Sequence, residues 1–306
     1  MGGGGEAVDD RRRMLHIDEE RFSYLEIAAD GPAADFAATL WTMCAGTCRT
    51  AVEAKLPSAA AEILFNLGPT GRHVVGPDHA LASSTPRAAW VVGPHTRVLH
   101  VAKELADSDV VGVRLRPDAI PWVLGLPASE LRGRVVDLED VWGRDVERIR
   151  EALHATPDAR GRAALLAGEV ASRAAGAAAG TASEVRALRR AVDSGGGGTV
   201  GEVARRFGLT HRRLIELFDH AVGLKPKEYQ RVRRLMVVLA SVRADPMPTW
   251  ARVAHEAGYF DQAHMANEFR RLTDLTPSAY VARRSPVGLG VVRHRVAPAP
   301  RTKLAK

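Results

Sequence analysis

The chain has 306 residues, of which 46% are hydrophobic and 26% are charged, and its 43 Lys and Arg exceed its 36 Asp and Glu. This composition is typical of a globular protein with room for two domains of ordinary size. The sequence contains no run of about eighteen apolar residues, and its N-terminus lacks an apolar signal core. We therefore expect no membrane span, no secretory signal and a cytoplasmic location.

The N-terminal half predicts strands. Short segments rich in Val, Ile, Leu and Trp, each bounded by Gly or Pro, favour a mostly antiparallel sheet. They read AEILFNLG, RAAWVVGP, TRVLHVA and DVVGVRLRP. In the last segment, alternation puts Val111, Val113 and Leu115 on one face. Arg114 and Arg116 lie on the other face, where they are either solvated or line a pocket for an anionic effector.

Helical segments follow the strands. Short helical turns are predicted in IPWVLGLPASELRGRVVDLEDVWG, and longer helices in RDVERIREALHA and PDARGRAALLAGEVASRA. The N-terminal half is therefore expected to be an α+β domain, mostly antiparallel β with a helical tail. The run DSGGGG at 193–198 then predicts a flexible linker.

Charge is divided unequally at this linker. Residues 199–306 contain 20 Lys and Arg against 9 Asp and Glu, whereas residues 1–198 contain 23 against 27. A basic half beside a slightly acidic half indicates a polyanionic partner, most often nucleic acid.

The basic half contains an internal repeat. FGLTHRRLIELFDHAVGLKPKEY at 207–229 aligns with AGYFDQAHMANEFRRLTDLTPSAY at 257–280, with an offset of fifty residues before one turn and fifty-one after it. The extra residue falls where GLT in the first copy becomes GYFD in the second. The shared landmarks are Gly208 and Gly258, Phe218 and Phe269, Pro226 and Pro277, and Tyr229 and Tyr280. Such self-similarity indicates two copies of one supersecondary unit.

Each copy predicts a helix-turn-helix. In the first, VGEVARRFG forms a short helix, Gly208 allows the left-handed conformation that ends it, and Thr210 caps HRRLIELFDHAV. In the second, TWARVAHEAG is the supporting helix and Asp261 caps QAHMANEFRRL. The segment PKEYQRVRRLMVVLASV between them predicts a linker helix, so this domain is expected to be all-α, with two helix-turn-helix units.

The outward face of the second helix in each unit suits DNA. Arg, Asn, Gln and His side chains supply donors and acceptors for base edges, and Arg270 and Arg271 can neutralise phosphates. A linker helix of this length can set the two helices about one DNA turn, roughly 34 Å, apart. Glu216 repels phosphate but can accept from a cytosine amino group. We therefore predict double-stranded DNA as the partner, with the first unit mainly a backbone clamp.

The segment from Thr199 to Arg284 resembles the DNA-binding domain of AraC/XylS-type bacterial transcription regulators. GYFDQAHMANEFRRLTDLTPSAY matches that family's signature at Gly258, Asp261, Phe269, Arg270, Pro277 and Tyr280. It departs from the signature at Ala263 and Met265, and Asp274 stands where the family has glycine. EILFNLGP, VVGPHT, VVGVRLRP and VVDLEDVWG are more loosely similar to a sensory or dimerisation domain found in front of such modules.

In that family the second helix of each unit enters the major groove. The resemblance therefore implies a sequence-specific regulator, with activation of transcription, RNA polymerase as a partner and no cofactor. The N-terminal domain is expected to sense a small-molecule effector or to form a homodimer. The predicted DNA-binding residues are Arg212, Arg213, Ile215 and Glu216 in the first unit and Gln262, Ala263, His264, Asn267, Arg270 and Arg271 in the second.

The predicted organisation has five parts. Residues 1–13 are expected to be a disordered tail, 14–192 a sensory or dimerisation domain with its helical tail, and 193–198 the glycine linker. Residues 199–284 form the double helix-turn-helix domain, and 285–306 a basic, proline-containing tail that is expected to be disordered.

Two other classes of protein remain as alternatives. A DNA repair enzyme would need an activated thiolate, and neither Cys44 nor Cys48 has an obvious base beside it in sequence, so we expect no enzyme and two plain buried thiols. A non-specific architectural binder would spread basic charge over the whole chain. The histidines of the predicted strand region lack the spacing of a metal-binding barrel, so no metal is expected; they are His73, His79, His95 and His100.

Overall fold

The structure is a computed structural model. It describes residues 12–17, 22–45, 51–68, 72–75, 88–103, 108–176, 179–193, 199–244, 246–283 and 291–294. Strands occupy most of the N-terminal half, and helices follow them. The predicted fold class, an α+β domain followed by an all-α domain with two helix-turn-helix units, is confirmed. In the described part of the chain, no helix is long and apolar enough to cross a membrane.

The strands pair antiparallel throughout. In chain order they are β1 (Arg12–Ile17), β2 (Phe22–Ala28), β3 (Ala37–Ala45), β4 (Ala51–Lys55), β5 (Glu62–Asn66), β6 (Arg72–Val75), β7 (Ala89–Val92), β8 (Leu99–Lys103), β9 (Ser108–Leu115), β10 (Val135–Asp137) and β11 (Val291–His294). The larger sheet has the order β1-β2-β3-β9-β5-β7-β10, and the smaller has the order β11-β4-β8-β6.

The helices begin after β9. They are α1 (Ile120–Leu124), α2 (Glu139–Trp142), α3 (Asp145–Ala155), α4 (Ala159–Ala174), α5 (Ala179–Asp193), α6 (Val200–Arg206), α7 (His211–Val222), α8 (Pro226–Ser241), α9 (Trp250–Glu256), α10 (Gln262–Thr273) and α11 (Pro277–Arg283). Two 3₁₀ turns, at Gly31–Asp35 and Ala128–Leu131, complete the regular structure of the described residues.

One face of the larger sheet packs against helices. Val111, Val113 and Leu115 are fully buried on this face, as their alternation predicts, and they share a core with Ile149 of α3 and Leu166 of α4. Burying a side chain of this size stabilises the fold by about 1.5–3 kcal/mol. The sheet is therefore anchored by the helical tail that follows it in sequence.

Arg114 lies on the opposite face, where it is neither solvated nor part of an open pocket. Its guanidinium donates to Glu62, its register partner on β5, at 2.7 and 3.0 Å, and lies 3.9 Å from Glu26 of β2. Lys55 donates to the same carboxylate at 2.7 Å. Burial alone would raise the pKa of Glu62, but Lys55 and Arg114 hold that pKa well below its usual range. The predictions that Arg114 is solvated or lines a pocket for an anionic effector are therefore wrong, because carboxylates of neighbouring strands neutralise its charge.

Regular structure extends beyond the parts that the sequence assigned to domains. Strand β1 begins at Arg12, inside the expected N-terminal tail, and β11 lies inside the expected C-terminal tail. Strand β11 pairs with β4, Val291 opposite Lys55. Backbone N–H and C=O groups along β4 need partners, and the backbone of β11 supplies them. The two valines of VVRH favour the strand conformation.

Helix α5 packs against the first helix-turn-helix unit. Leu188 and Val192 of α5 belong to one buried cluster with Val203 of α6 and Phe218 of α7. The backbone carbonyl of Val192 accepts a hydrogen bond from Gln230 of α8 at 3.1 Å. The last helix before the glycine run is thus part of the core of the helical domain, although its sequence position predicts an N-terminal helical tail.

Candidate nucleic-acid interface

The two helix-turn-helix units share one backbone arrangement at their turns. The first helix of each unit ends at a glycine in the left-handed conformation, Gly208 with φ 66° and Gly258 with φ 75°. The residue after each glycine donates its backbone N–H back into that helix at 2.9 Å, Leu209 to Ala204 and Tyr259 to Ala254. Those hydrogen bonds fix the angle at which the second helix leaves the turn.

Side-chain caps start both second helices. Thr210 accepts from the backbone N–H of Arg213 at 3.2 Å, and Asp261 accepts from that of His264 at 2.7 Å. Each cap satisfies an N–H that the helix itself cannot satisfy, which is worth about 1 kcal/mol. The predicted caps are therefore in place.

The repeated aromatic landmarks pack on each other in both units. Phe218 of α7 lies 5.2 Å from Tyr229 of α8, and Phe269 of α10 lies 5.7 Å from Tyr280 of α11, between ring centroids. All four side chains are buried. Because these rings hold one face of α7 and of α10 inward, the opposite face of each helix must point outward.

Asn267 lies at the centre of the outward face of α10. At about 100° per residue, the exposed residues within about 60° of it are Ala263, His264, Arg270 and Arg271. Gln262 is also exposed, in the first turn of the helix. The structure thus brings five of the six predicted residues of the second unit onto one outward face, whereas Gln262 lies about 140° from Asn267 around the helix and outside that face.

Glu216 holds the matching central position on α7. Arg212 and Arg213 lie within about 60° of it, and both are exposed. Their guanidinium groups are 2.8 and 3.7 Å from its carboxylate. The hydrogen bond from Arg212, the largest cause, and the charge of both arginines lower the pKa of Glu216. Ile215 lies about 100° from this centre and is half-buried, so it stands at the edge of the face.

A buried carboxylate ties α10 to the linker helix. Glu268 is 7% exposed and accepts from Arg234 of α8 at 3.1 Å, with Arg231 at 3.6 Å. Tyr259 donates to it at 3.4 Å, and burial, then the charge of Glu268, raises the pKa of Tyr259 to about 12. The ring of Tyr259 packs edge-on against that of His264 at 5.3 Å. Sequence reasoning missed Glu268, because its buried helical position signals an apolar residue.

The C-terminal end of α10 shows one departure from the usual helix end. Asp274 adopts the left-handed conformation with φ 59°, the one non-glycine residue to do so among those described. Its N–H donates to Arg270 at 2.8 Å. Aspartate adopts this conformation less readily than the glycine that the family has at this position.

The N-terminal domain contacts the C-terminal end of α7. Arg132, beside the 3₁₀ turn Ala128–Leu131, donates to the carbonyl of Gly223 and to the carboxylate of Asp219, both at the C-terminal end of α7. Gly223 has φ 76°, and a Cβ there would lie 2.5 Å from the carbonyl oxygen of Ala128. Long-range contacts of this kind carry no local sequence signal and were not predicted.

A second contact passes through α5. Arg189 donates to Asp118 of the N-terminal domain at 2.6 Å and to Tyr229 of α8 at 3.2 Å. Arg186 donates to Asp35 at 2.7 Å. Helix α5 therefore contacts both domains at once, through the buried pair Arg189–Asp118 and the more exposed pair Arg186–Asp35.

These features define the class of protein. The family profile of a helix-turn-helix domain matches residues 203–283, and that of a domain of unknown function, DUF6597, matches residues 26–137. The C-terminal domain is a helix-turn-helix domain of the AraC type, and the protein is a DNA-binding transcription regulator. The resemblance found in the sequence is thereby confirmed.

Solved structures of one protein, ToxT from Vibrio cholerae, are similar to the chain over most of its length. ToxT from Vibrio cholerae O395 is 8% identical, with 80% of this chain and 97% of that chain covered and a TM-score of 0.44. ToxT from Vibrio cholerae bound to an unsaturated fatty acid is 10% identical, with 87% and 97% covered and a TM-score of 0.43. Comparison with curated protein sequences finds no significant match.

Proposed function

We propose that the protein regulates transcription by placing α7 and α10 in successive major-groove segments of double-stranded DNA. The observation that carries this proposal is the repetition of one burial pattern, which turns a polar face outward on both helices. Helix α8 has 16 residues and is therefore about 24 Å long. With the turns at its ends, it spaces the two helices near the roughly 34 Å of one DNA turn.

The two helices differ in what they offer to DNA. Asn267 and His264 on α10 carry donors and acceptors, and Asn pairs bidentately with adenine. The outward face of α7 instead centres on Glu216, whose charge is balanced by Arg212 and Arg213. We therefore assign base reading chiefly to Gln262, Ala263, His264 and Asn267, and backbone contact to Arg212, Arg213, Arg270 and Arg271. Ile215 lines the edge of the clamp.

Footprinting tests this arrangement directly. Hydroxyl-radical cleavage of a bound site should show two protected stretches on one face of the duplex, about ten base pairs apart. A matched pair of variants assigns them: Arg213→Ala should weaken protection of one stretch and Arg270→Ala that of the other. A single protected stretch, or loss of the same stretch in both variants, would contradict the two-groove arrangement.

The N-terminal domain is proposed to sense an effector or to pair subunits. A cleft of ≈ 560 Å³ lies where residues 96–98 of this domain face α8 and the end of α10. Its lining includes Arg97, Arg231 and Arg271 against Glu228 and Asp274, an arrangement that favours a small anionic effector. A ligand that raises the melting temperature of the parent but not that of Arg97→Ala would support this site. If the ligand raised both melting temperatures equally, it would bind elsewhere. Sedimentation of the full chain tests the homodimer.

The proposed partner in transcription is RNA polymerase, with the protein acting as an activator in the bacterial cytoplasm. The support is the class of the helix-turn-helix domain, since such regulators act beside promoters. Transcription in vitro with purified polymerase should rise when the protein is added to a template that carries its site. Unchanged or lowered transcription would refute the activating role.

The alternative of an enzyme with a reactive cysteine finds no support at Cys44. Its thiol donates to Asp109 at 3.4 Å, and burial, then the negative charge of Asp109, raises the pKa of the thiol. A raised pKa disfavours the thiolate that such chemistry needs. The thiol of Cys44, predicted to be buried, is half-buried in the structure. Cys48 lies outside the described residues.

Of the four histidines considered for a metal, the structure describes the side chain of His95. It is buried, and its two ring nitrogens lie 2.9 and 3.0 Å from the carbonyl oxygens of Gly93 and Leu56. Burial lowers its pKa. Both nitrogens thus face backbone carbonyls, and no ring position faces outward toward a metal. The side chains of His73, His79 and His100 lie outside the described residues.

A further inference from the structure

The turn before α10 is one residue longer than the turn before α7. In the first unit, Leu209 is followed directly by the cap Thr210. In the second unit, Tyr259 makes the same backbone hydrogen bond as Leu209, but Phe260 comes between it and the cap Asp261. The extra residue of the second repeat is therefore Phe260.

Phe260 is exposed to an unusual degree. Its side chain is 93% exposed, whereas Tyr259 beside it is 6% exposed and fills the inward place. Leaving a phenylalanine in water forgoes the stabilisation that burial of its ring would give. The turn therefore presents an aromatic ring that contributes nothing to the described fold.

The position of Phe260 points to DNA as what covers it. It immediately precedes the cap of α10, at the end of the helix whose first residues reach base edges in a groove-bound unit. Its exposed neighbours Gln262 and His264 are polar, and both belong to the residues assigned above to base reading. The ring thus stands beside the side chains proposed to face the bases, where a DNA groove would cover it.

A protein partner fits this surface less well. Protein interaction sites are contiguous apolar patches of some hundreds of Å². Among the described residues the other large exposed hydrophobic side chain is Met247, which precedes α9 and is 36% exposed. An isolated ring instead suits the one apolar group on the major-groove edge of a base pair, the C5 methyl of thymine.

We infer that Phe260 is a specificity-determining residue that packs against a thymine methyl beside the base pairs read by α10. This inference rests on the proposed function, because it requires α10 in the major groove. Replacing thymine by deoxyuridine removes that methyl alone. The parent should then bind about fourfold more weakly, the ratio that corresponds to ~0.8 kcal/mol for one buried methyl group.

The experiment uses the full chain and three variants. Sites are selected from a random DNA pool with the parent, and each thymine of the selected site is replaced in turn by deoxyuridine. Phe260→Ala should lose the fourfold effect at one thymine, whereas Phe260→Leu should keep most of it. Met247→Ala serves as the matched control, since it removes the other exposed apolar side chain and should respond to deoxyuridine as the parent does.

The outcomes separate this inference from the function on which it rests. If the parent selects no site at all, the proposed DNA reading fails. If the parent selects a site but no thymine responds to deoxyuridine, or Phe260→Ala responds as the parent does, the contact with thymine is refuted while DNA reading stands. Equal DNA binding with reduced transcription in Phe260→Ala would likewise refute it and assign the ring to a protein partner.

Discussion

Replacing Glu268 by glutamine tests whether the buried carboxylate fixes α10. The substitution keeps the size of the side chain but removes the charge that faces Arg234 at 3.1 Å, Arg231 at 3.6 Å and Arg271 at 4.0 Å. Removing one partner of a fully buried ion pair costs about 3–5 kcal/mol. The three arginine side chains are 31–66% exposed, so water compensates part of the loss, and we expect about 2 kcal/mol.

The assay combines unfolding with DNA binding. Urea unfolding of the full chain should show the lower free energy, and the melting temperature should fall by roughly 4–8 °C. Glu256→Gln is the matched control, because Glu256 pairs with Arg252 at 2.7 Å on the exposed face of α9. Such exposed helical pairs contribute about 0.3–0.5 kcal/mol. Equal destabilisation of the two variants would refute the reasoning.

DNA binding by Glu268→Gln gives a second readout. Since Asn267 keeps its place on the outward face, the variant should select the same bases as the parent. Its affinity should fall for all sequences, because α10 is held less firmly against α8. A changed base preference would mean that Glu268 orients the reading side chains individually.

Four further predictions concern the interface and its support. Asn267→Ala should relax the base preference at one base pair by about 1–3 kcal/mol, whereas Arg212→Ala should weaken binding to all sequences alike. Selection of binding sites from a random DNA pool with each variant tests this, and the reverse pattern would refute the assignment. Arg270→Ala should lower the slope of log affinity against log salt by about 0.9, and Arg252→Ala, on the supporting helix, should leave the slope unchanged. Arg132→Ala should speed proteolysis at the end of α7, since it frees Gly223; unaltered cleavage would show that the contact is not maintained in solution. A fragment that begins at residue 179 should unfold at higher urea than one that begins at 194, and equal midpoints would mean that α5 adds nothing to the helical domain.

The helical domain was predictable because its determinants are local. The glycine turns, the caps Thr210 and Asp261 and the spacing of Phe218 and Phe269 all act within a few residues, so sequence alone carries them. The outward face of α10 follows from the same periodicity.

What the sequence did not reveal depends on distant residues. Arg114 has the alternation of a surface residue, and only its pairing with Glu62, 52 positions away, shows that it is neutralised inside the sheet. The contact of Arg132 with the end of α7 likewise joins segments about ninety residues apart. Periodicity predicts which face of a helix or strand is buried, but it does not predict which distant residues pack against that face.

The position of α5 limits how this regulator can be recombined with others. Its arginines bind Asp35 and Asp118, while Leu188 and Val192 fill the core of the first helix-turn-helix unit. If the N-terminal domain is joined at the glycine run to a foreign DNA-binding domain, α5 loses the helix-turn-helix core into which Leu188 and Val192 pack. If the junction lies before residue 179, α5 keeps that core but loses Asp35 and Asp118. Exchange of the N-terminal domain therefore requires redesign of one side of α5.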